Sequence, residues 1–175
     1  MRAAVCGHPI SHSLSPVLHR AAYAELGLDH TYEAIDLTEP DLVKFVQTLD
    51  ADWLGLSLTM PLKEVAFEVA ESISTQAMLS GSINTLIVGA EISGDNTDIY
   101  GIEQAVREST SVIEGNFSII GSGATARSAV VAAGNLGATS IDIVARNRLT
   151  AQACVALAQE LGITAAHVDL DDADW

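Results

Sequence analysis

The sequence predicts an α/β protein: an N-terminal α/β unit with a mainly parallel sheet, followed by a second α/β unit. Short apolar runs alternate with helical patterns along the chain, as in βαβ units, whose crossovers are right-handed. The composition is 49% hydrophobic and 18% charged, which supports a buried core and argues against disorder. Because the alternation restarts in 100–115, we expect the domains to span 1–100 and 101–175.

The charge excludes several classes of partner. Net charge is −15, from 23 acidic and 8 basic residues, and such a surface repels nucleic acid and anionic membranes. No apolar run approaches the roughly 20 residues of a membrane span, and the N-terminal apolar stretch is too short for a signal peptide. Cys6 and Cys154 lie in apolar contexts typical of reduced thiols. We therefore expect a soluble, cytoplasmic protein.

The first unit has four predicted strands. They lie at 3–6, 31–37, 53–59 and 85–88. The stretch S-G-D-N at 93–96 carries residues typical of a turn. These strands would form the mainly parallel sheet.

Helices are predicted between these strands. Ser15 is the expected N-cap of the first helix, with Pro16 at its first position and residues 17–26 as its body. Thr38 caps a second helix, whose apolar residues recur at i, i+3, i+4 and i+7. Pro61 opens a third, and the last begins near residue 99.

The second unit begins with a glycine-rich turn that fits G-x-G-x-x-G/A between a strand and a helix. Gly121 permits a tight bend, Gly123 lets a pyrophosphate approach the backbone, and Ala126 allows close helix–strand packing. Strands are predicted at 116–120, 141–144 and 164–168, with a helix at 150–161. The expected phosphate-binding residues are Gly121, Ser122, Gly123, Ala124, Thr125, Ala126 and Arg127. This context predicts a Rossmann-type dinucleotide-binding domain.

Arginines near the second strand of this unit predict the cofactor. An NAD-selective site would place an acid there for the ribose 2′-hydroxyl, but the chain has Arg146, Asn147 and Arg148. Guanidinium groups match a 2′-phosphate, so the prediction is NADP, bound through these three residues. The alternative is that both arginines form a solvated strand end. Asp142, inside the strand, is interpreted as a surface acid.

Lys63 is the candidate catalytic residue of the first unit. It is one of two lysines and lies in T-M-P-L-K, at the start of a helix, where a cation opposes the macrodipole. An amine so placed suits general acid–base chemistry, with Asp98 of G-D-N-T-D as its partner. Asn84 and Thr59 are further polar candidates, although each also has ordinary turn or strand-end interpretations.

Five motifs in this order and spacing resemble the shikimate dehydrogenase family. They are G-H-P-I-S-H-S-L-S-P-V-L-H, G-L-S-L-T-M-P-L-K, G-S-I-N-T-L, D-N-T-D-I-Y-G and G-S-G-A-T-A-R. The resemblance implies reduction of 3-dehydroshikimate to shikimate with NADPH, in aromatic amino acid biosynthesis. It further implies Lys63 and Asp98 as the catalytic pair. The substrate-binding residues it implies are Ser13, Ser15, Ser57, Thr59, Asn84 and Asp98.

The chain departs from the family pattern at three places. Ser57 stands where the family commonly has asparagine, which shortens the reach of that side chain. Ala145 replaces the asparagine of the family's N-R-T motif, while Arg146 is kept. The sequence also stops where family members continue with the second half of the dinucleotide fold, so the Rossmann-type domain is expected to be incomplete.

Alternatives follow from these departures. One is a quinate/shikimate dehydrogenase that uses NAD, and another is a non-catalytic fragment that binds shikimate or nucleotide. The partner is expected to be a small-molecule substrate, and a homodimer is left open. No metal is expected, because no cysteine pattern accompanies the three histidines at 8, 12 and 19. His12 is expected to brace the serine loop, the serine-rich segment 7–16 that follows the first strand.

Overall fold

A computed structural model describes residues 1–110 and 115–172 of the chain. The chain divides into two compact units, one formed by Met1–Met78 with Ser82–Asn96 and the other by Leu79–Gly81 with the residues from Thr97 onward. Part of the predicted boundary, 111–114, lies outside the described residues. Each unit has its own sheet and its own core.

The first unit is built on a six-stranded sheet with the order β2-β1-β3-β5-β6-β4. Its strands are β1 (Arg2–Gly7), β2 (Thr31–Asp36), β3 (Trp53–Leu58), β4 (Ser72–Ile73), β5 (Thr85–Val88) and β6 (Ile92–Asp95). β1 pairs in parallel with β2 and β3, and β4 with β6. β5 is antiparallel to both β3 and β6. The sheet is therefore mainly parallel, with β5 as its antiparallel strand.

The hairpin of β5 and β6 corrects one sequence prediction. S-G-D-N at 93–96 was expected to be a turn, but Ser93, Gly94 and Asp95 belong to β6, and the chain reverses before Ile92. Gly94 is required by packing rather than by a bend, because a Cβ there would lie 2.7 Å from Ile83 Cδ1. A glycine inside a strand often marks such a close approach.

The first helix of this unit differs from its predicted bounds, whereas the second begins as predicted. The helices are α1 (Ser15–Glu25), α2 (Glu39–Val46), α3 (Leu62–Val65) and α4 (Thr75–Ser80). Leu14, not Ser15, is the N-cap of α1, and the Ser13 hydroxyl accepts the backbone N–H of Ser15 at 3.3 Å. The prediction for Thr38 is confirmed, since it caps α2 and donates from its backbone N–H to Asp41 at 3.4 Å.

α3 is a short helix of four residues. It makes one turn and continues as a 3-10 turn over Ala66–Glu68. Lys63 is its second residue, so the opposing macrodipole is small, because the dipole grows with the number of aligned peptides. The macrodipole is therefore a weak reason for singling out Lys63.

The core of the first unit is formed between this sheet and its helices. Cys6, Leu42, Leu62, Ala66 and Leu86 are fully buried there. Burial also raises the pKa of the Cys6 thiol to about 12, so this cysteine is a core residue held as a thiol.

The second unit has a three-stranded parallel sheet with the order β7-β8-β9. Its elements are α5 (Asp98–Ser109), β7 (Gly115–Ile120), α6 (Ala124–Asn135), β8 (Ala138–Val144), α7 (Arg148–Glu160) and β9 (Thr164–Val168). Val130, Ile141, Ile143 and Cys154 are fully buried in its core. The strand–turn–helix context predicted for the glycine-rich turn is present between β7 and α6.

Within the described residues, no helix is both long and apolar enough to cross a membrane.

Candidate functional site

The serine loop and the T-M-P-L-K segment leave the same edge of the first sheet. β1 and β3 are parallel neighbours, with Cys6 opposite Leu58, so their carboxyl ends meet. The backbone N–H of Thr59 donates to the carbonyl of Cys6 at 2.9 Å, and that of His8 donates to the carbonyl of Met60 at 3.0 Å. The two loops are therefore joined by main-chain bonds where they begin.

Gly7 permits this close approach. A Cβ at Gly7 would lie 2.5 Å from Thr59 Cγ2 and 2.9 Å from the carbonyl oxygen of Met60. Only a residue without a side chain leaves both loops in place.

A third segment, 82–84, reaches the same edge because β5 runs antiparallel to β3. The backbone N–H of Ile83 donates to the carbonyl of Lys63 at 2.9 Å, and that of Leu58 donates to the carbonyl of Asn84 at 2.6 Å. Asn84 and Lys63 are therefore held beside the carboxyl end of β3. The six predicted site residues of the first unit lie on these segments or on the elements that adjoin them: Ser13, Ser15 at the start of α1, Ser57 in β3, Thr59, Lys63 and Asn84.

The six side chains are all polar or charged. All are half-buried except Asn84, which is 8% exposed and accepts the Thr85 hydroxyl at its Oδ1 at 2.8 Å. Ser57 Oγ accepts the Tyr32 hydroxyl at 2.7 Å. Hydroxyls, an amide and an ammonium group at one sheet edge can bind a small acid that carries hydroxyl groups.

The serine loop is braced by Asp36 at the end of β2. The carboxylate contacts His8 Nδ1 at 2.6 Å through one oxygen and accepts the backbone N–H of Ile10 at 3.2 Å through the other. The hydrogen bond from His8 is the main cause of a lowered Asp36 pKa. In the described part of the chain, His8 is the histidine that makes this contact, and the role expected of His12 stays a prediction.

Asp98 belongs to the second unit, where it is the first residue of α5 and half-buried. A carboxylate is favoured at a helix N-terminus whatever its function. The Lys63–Asp98 pair therefore stays a prediction.

A buried polar network in the first unit was missed by sequence reasoning. Asn96 is 3% exposed, and its Nδ2 donates to Ser82 at the carbonyl (3.0 Å) and the hydroxyl (2.8 Å). Asp95 Oδ1 accepts from the Ser74 hydroxyl at 2.5 Å and from the backbone N–H of Asn96 at 2.7 Å. The signal was present, since both G-S-I-N-T and G-D-N-T-D contain small polar residues beyond the ones singled out.

In the second unit, the glycine-rich turn has the geometry of an anion site. Gly121 has φ of +107°, a conformation that favours glycine, and Gly123 is the N-cap of the twelve-residue helix α6. No described atom lies within 4 Å of a Cβ built on Gly123, so a ligand could approach the backbone there. The N–H groups at such a helix start suit a phosphate.

A cavity of about 320 Å³ opens at the carboxyl ends of β7 and β8. Its lining residues are Ile120, Gly121, Ser122, Val144, Ala145, Arg146, Asn147 and Leu170. The Ser122 hydroxyl lies 2.6 Å from that of Thr150. Such a crevice is the usual ligand position in an open α/β sheet.

Some predicted cofactor residues have other contacts. Arg127 donates from Nε to the carbonyl of Ser80 at 2.9 Å and from a terminal nitrogen to that of Gly81 at 3.1 Å. Asn147 is the N-cap of α7, and its Oδ1 accepts the backbone N–H of Leu149 at 3.0 Å. Folding alone therefore explains Arg127 and Asn147, whereas Arg146 is exposed beside the cavity.

The second unit is thus a parallel α/β unit of the Rossmann type, with a cavity at its glycine-rich turn. Residues 5–86 match the family described as the shikimate dehydrogenase substrate binding domain. The chain is similar to the shikimate dehydrogenase family over both units.

Similarity to individual relatives extends over nearly the whole chain. Shikimate dehydrogenase (NADP(+)) of Methylobacterium radiotolerans is 35% identical, over 97% of this chain and 63% of its own length. The crystal structure of the Mycobacterium tuberculosis shikimate dehydrogenase is 40% identical with a TM-score of 0.85, over 95% of this chain and 64% of that one. The Thermus thermophilus enzyme in complex with NADP(H) and shikimate is 33% identical, with a TM-score of 0.84 and coverages of 95% and 62%. The chain thus spans less than two thirds of these relatives.

Proposed function

We propose that this protein interconverts 3-dehydroshikimate and shikimate with NADP(H). The observation that carries the proposal is the joining of three segments at one sheet edge by main-chain hydrogen bonds, which hold the backbones of Thr59, Lys63 and Asn84 at that edge. The relatives named above supply the identity of the substrate.

The polar side chains of the site would contact two parts of the substrate, its carboxylate and its ring hydroxyls. Ser13, Ser15 and Thr59 would donate to the carboxylate, since hydrogen bonds to an ionised acceptor are the stronger ones. Ser57 and Asn84 would contact ring hydroxyls. Together these contacts hold the reacting carbon in a fixed position.

Lys63 and Asp98 are the catalytic pair of the proposal. In the oxidation of shikimate, Lys63 takes the hydroxyl proton as the carbon gives up its hydride. In the reduction, the ammonium group returns that proton to the forming alkoxide. The Asp98 carboxylate would orient the amine and accept a hydrogen bond from the substrate. NADP, when bound, supplies the hydride chemistry.

The second unit fits the phosphate-bearing half of that cofactor. The turn at Gly121 and Gly123 leaves the backbone open at the start of α6, and the cavity lies beside it. Arg146 would bind the 2′-phosphate through its guanidinium group, which favours NADP over NAD.

The test replaces each of the two lysines of the sequence in turn. We expect Lys63→Met to lower kcat for NADP reduction by shikimate by about 100-fold or more, with little change in KM. Lys44→Met, on α2, is the matched control and should behave as the wild type. Wild-type kcat with a raised KM in Lys63→Met would make Lys63 a binding residue.

Binding is measured beside turnover, because the chain spans less than two thirds of its relatives. Calorimetry with shikimate, quinate, NADP and NAD separates the outcomes. Binding of shikimate and NADP without turnover would identify a non-catalytic fragment, and preference for quinate with NAD would identify the rival dehydrogenase. A folded protein that binds neither shikimate nor NADP would end the proposal.

A further inference from the structure

Tyr32, on β2, connects two segments of the candidate substrate site. Its hydroxyl reaches Ser57 Oγ at 2.7 Å, although Tyr32 is only 2% exposed. Its ring stacks on His19 of α1, with centroids 3.9 Å apart and planes 11° from parallel. Its carbonyl accepts Arg20 Nε at 2.8 Å. Tyr32 therefore contacts both β3 and the helix that begins at Ser15.

The hydrogen bond to Ser57 has a defined direction. In the described part of the chain, Ser57 Oγ is the hydrogen-bond partner of the buried Tyr32 hydroxyl. If Ser57 donated instead, the phenol proton would be buried without an acceptor, which is costly. Burial also raises the pKa of Tyr32, so the phenol keeps its proton. Tyr32 therefore donates, and the Ser57 proton is left for another acceptor.

The stacked pair also anchors the start of α1. His19 Nδ1 lies 2.9 Å from the carbonyl oxygen of Ser15, and a carbonyl accepts, so Nδ1 carries a proton. The ring is thereby fixed against the first helical turn while its face lies on Tyr32. The turn that carries Ser15 and the strand that carries Ser57 are thus both held by one buried side chain.

We infer that Tyr32 is a positioning residue of the substrate site, which fixes Ser57 as a hydrogen-bond donor and holds the α1 turn that carries Ser15. The ligand atom opposite Ser57 is then an acceptor, such as a hydroxyl or carboxylate oxygen. This inference rests on the proposed function for the identity of the ligand but not for the contacts themselves.

The test removes the hydroxyl while keeping the ring. We expect Tyr32→Phe to weaken shikimate binding, measured by calorimetry on the full chain, by about 3- to 10-fold. NADP affinity should stay within about twofold of the wild type. Tyr23→Phe is the matched control. The Tyr23 and Tyr32 ring centroids are 6.5 Å apart, and the Tyr23 hydroxyl has no hydrogen-bond partner in the described residues. This variant should bind shikimate as the wild type does.

A double-mutant cycle distinguishes an effect through the position of Ser57 from a general loss of structure. If Tyr32 acts through Ser57, the double variant Tyr32→Phe/Ser57→Ala should bind shikimate as weakly as Ser57→Ala alone. Additive losses, or wild-type affinity in Tyr32→Phe, would overturn the inference.

A ligand-free measurement separates this inference from the proposed function. Tyr32→Phe should shift the NMR resonances of Ser57 in the free protein, whereas Tyr23→Phe should leave them unchanged. Absence of that shift rejects the positioning role whatever the protein binds. A wild type that fails to bind shikimate, with the shift present, rejects the proposed function and the ligand assignment but keeps the Tyr32–Ser57 link.

Discussion

The backbone N–H of Ile83 donates to the carbonyl oxygen of Lys63 at 2.9 Å. This bond joins the residue before Asn84 to the candidate catalytic lysine, although 20 positions separate the two in sequence. Because the contact uses main-chain atoms, it ties the backbone of Lys63 to the loops that meet at this sheet edge. Changes in those loops should therefore affect the site as strongly as changes in its side chains.

Gly7→Ala tests the contact between the serine loop and Thr59. The new methyl group would overlap Thr59 Cγ2 and the carbonyl oxygen of Met60, and the latter is backbone that yields poorly. We expect a loss of about 1–3 kcal/mol in the free energy of unfolding and weaker shikimate binding, measured by denaturant titration and calorimetry.

Gly101→Ala is the matched control for that experiment. Gly101 lies inside α5, and no described atom lies within 4 Å of a Cβ placed there. Alanine should be neutral or stabilise the helix by up to about 1 kcal/mol. Equal effects of the two substitutions would contradict the close-contact explanation.

His8→Ala should raise the pKa of Asp36 toward its ordinary value of 3.8, because the hydrogen bond from His8 is the main cause of the lowered value. NMR titration of the Asp36 carboxyl measures this directly. His12→Ala removes a neighbouring histidine of the same loop and should leave that pKa unchanged. A normal Asp36 pKa in the wild type would show that the brace does not form.

The same contact predicts a pH dependence of stability. The folded-state pKa of Asp36 is lowered, so its contribution is complete above the unfolded value of 3.8 and is lost as pH falls through the folded pKa. Denaturant titrations should therefore show a smaller loss on acidification in Asp36→Asn than in the wild type. A larger loss in the variant would contradict the assignment.

Arg146→Ala should lower the affinity for NADP by about tenfold or more and leave NAD binding nearly unchanged, because only the first cofactor carries the 2′-phosphate. Arg107→Ala, in the last turn of α5, is a control for the loss of a positive charge. Asn147→Ala removes the N-cap of α7 and should instead cost about 1 kcal/mol of stability. Equal losses for both cofactors would make Arg146 a general phosphate contact.

Several elements with local signals were predicted correctly, although the local signals at Ser15 and at 93–96 were misleading. β9 was predicted at its observed bounds, and Thr38 as N-cap was right because capping depends on residues within one turn. The glycine-rich turn was also found from a local signal, because the positive φ at Gly121 favours glycine at that position.

Other features depend on contacts distant in sequence. Gly94 looks like a turn residue until the Ile83 side chain is seen packed against it. Leu79–Gly81 belongs to the second unit although the residues on either side belong to the first, which no contiguous boundary could predict. Tyr32 carries no motif at all, and its importance appears only when Ser57 and His19 are brought to it.

The loops at this sheet edge are joined by main-chain bonds, which do not depend on the identity of the side chains. None of the bonds that join Cys6 to Thr59, His8 to Met60 or Leu58 to Asn84 involves a side chain. A replacement at residue 57, 59 or 84 therefore removes none of these three bonds. The serine at position 57, where the resemblance predicts asparagine, is a side-chain difference of this kind.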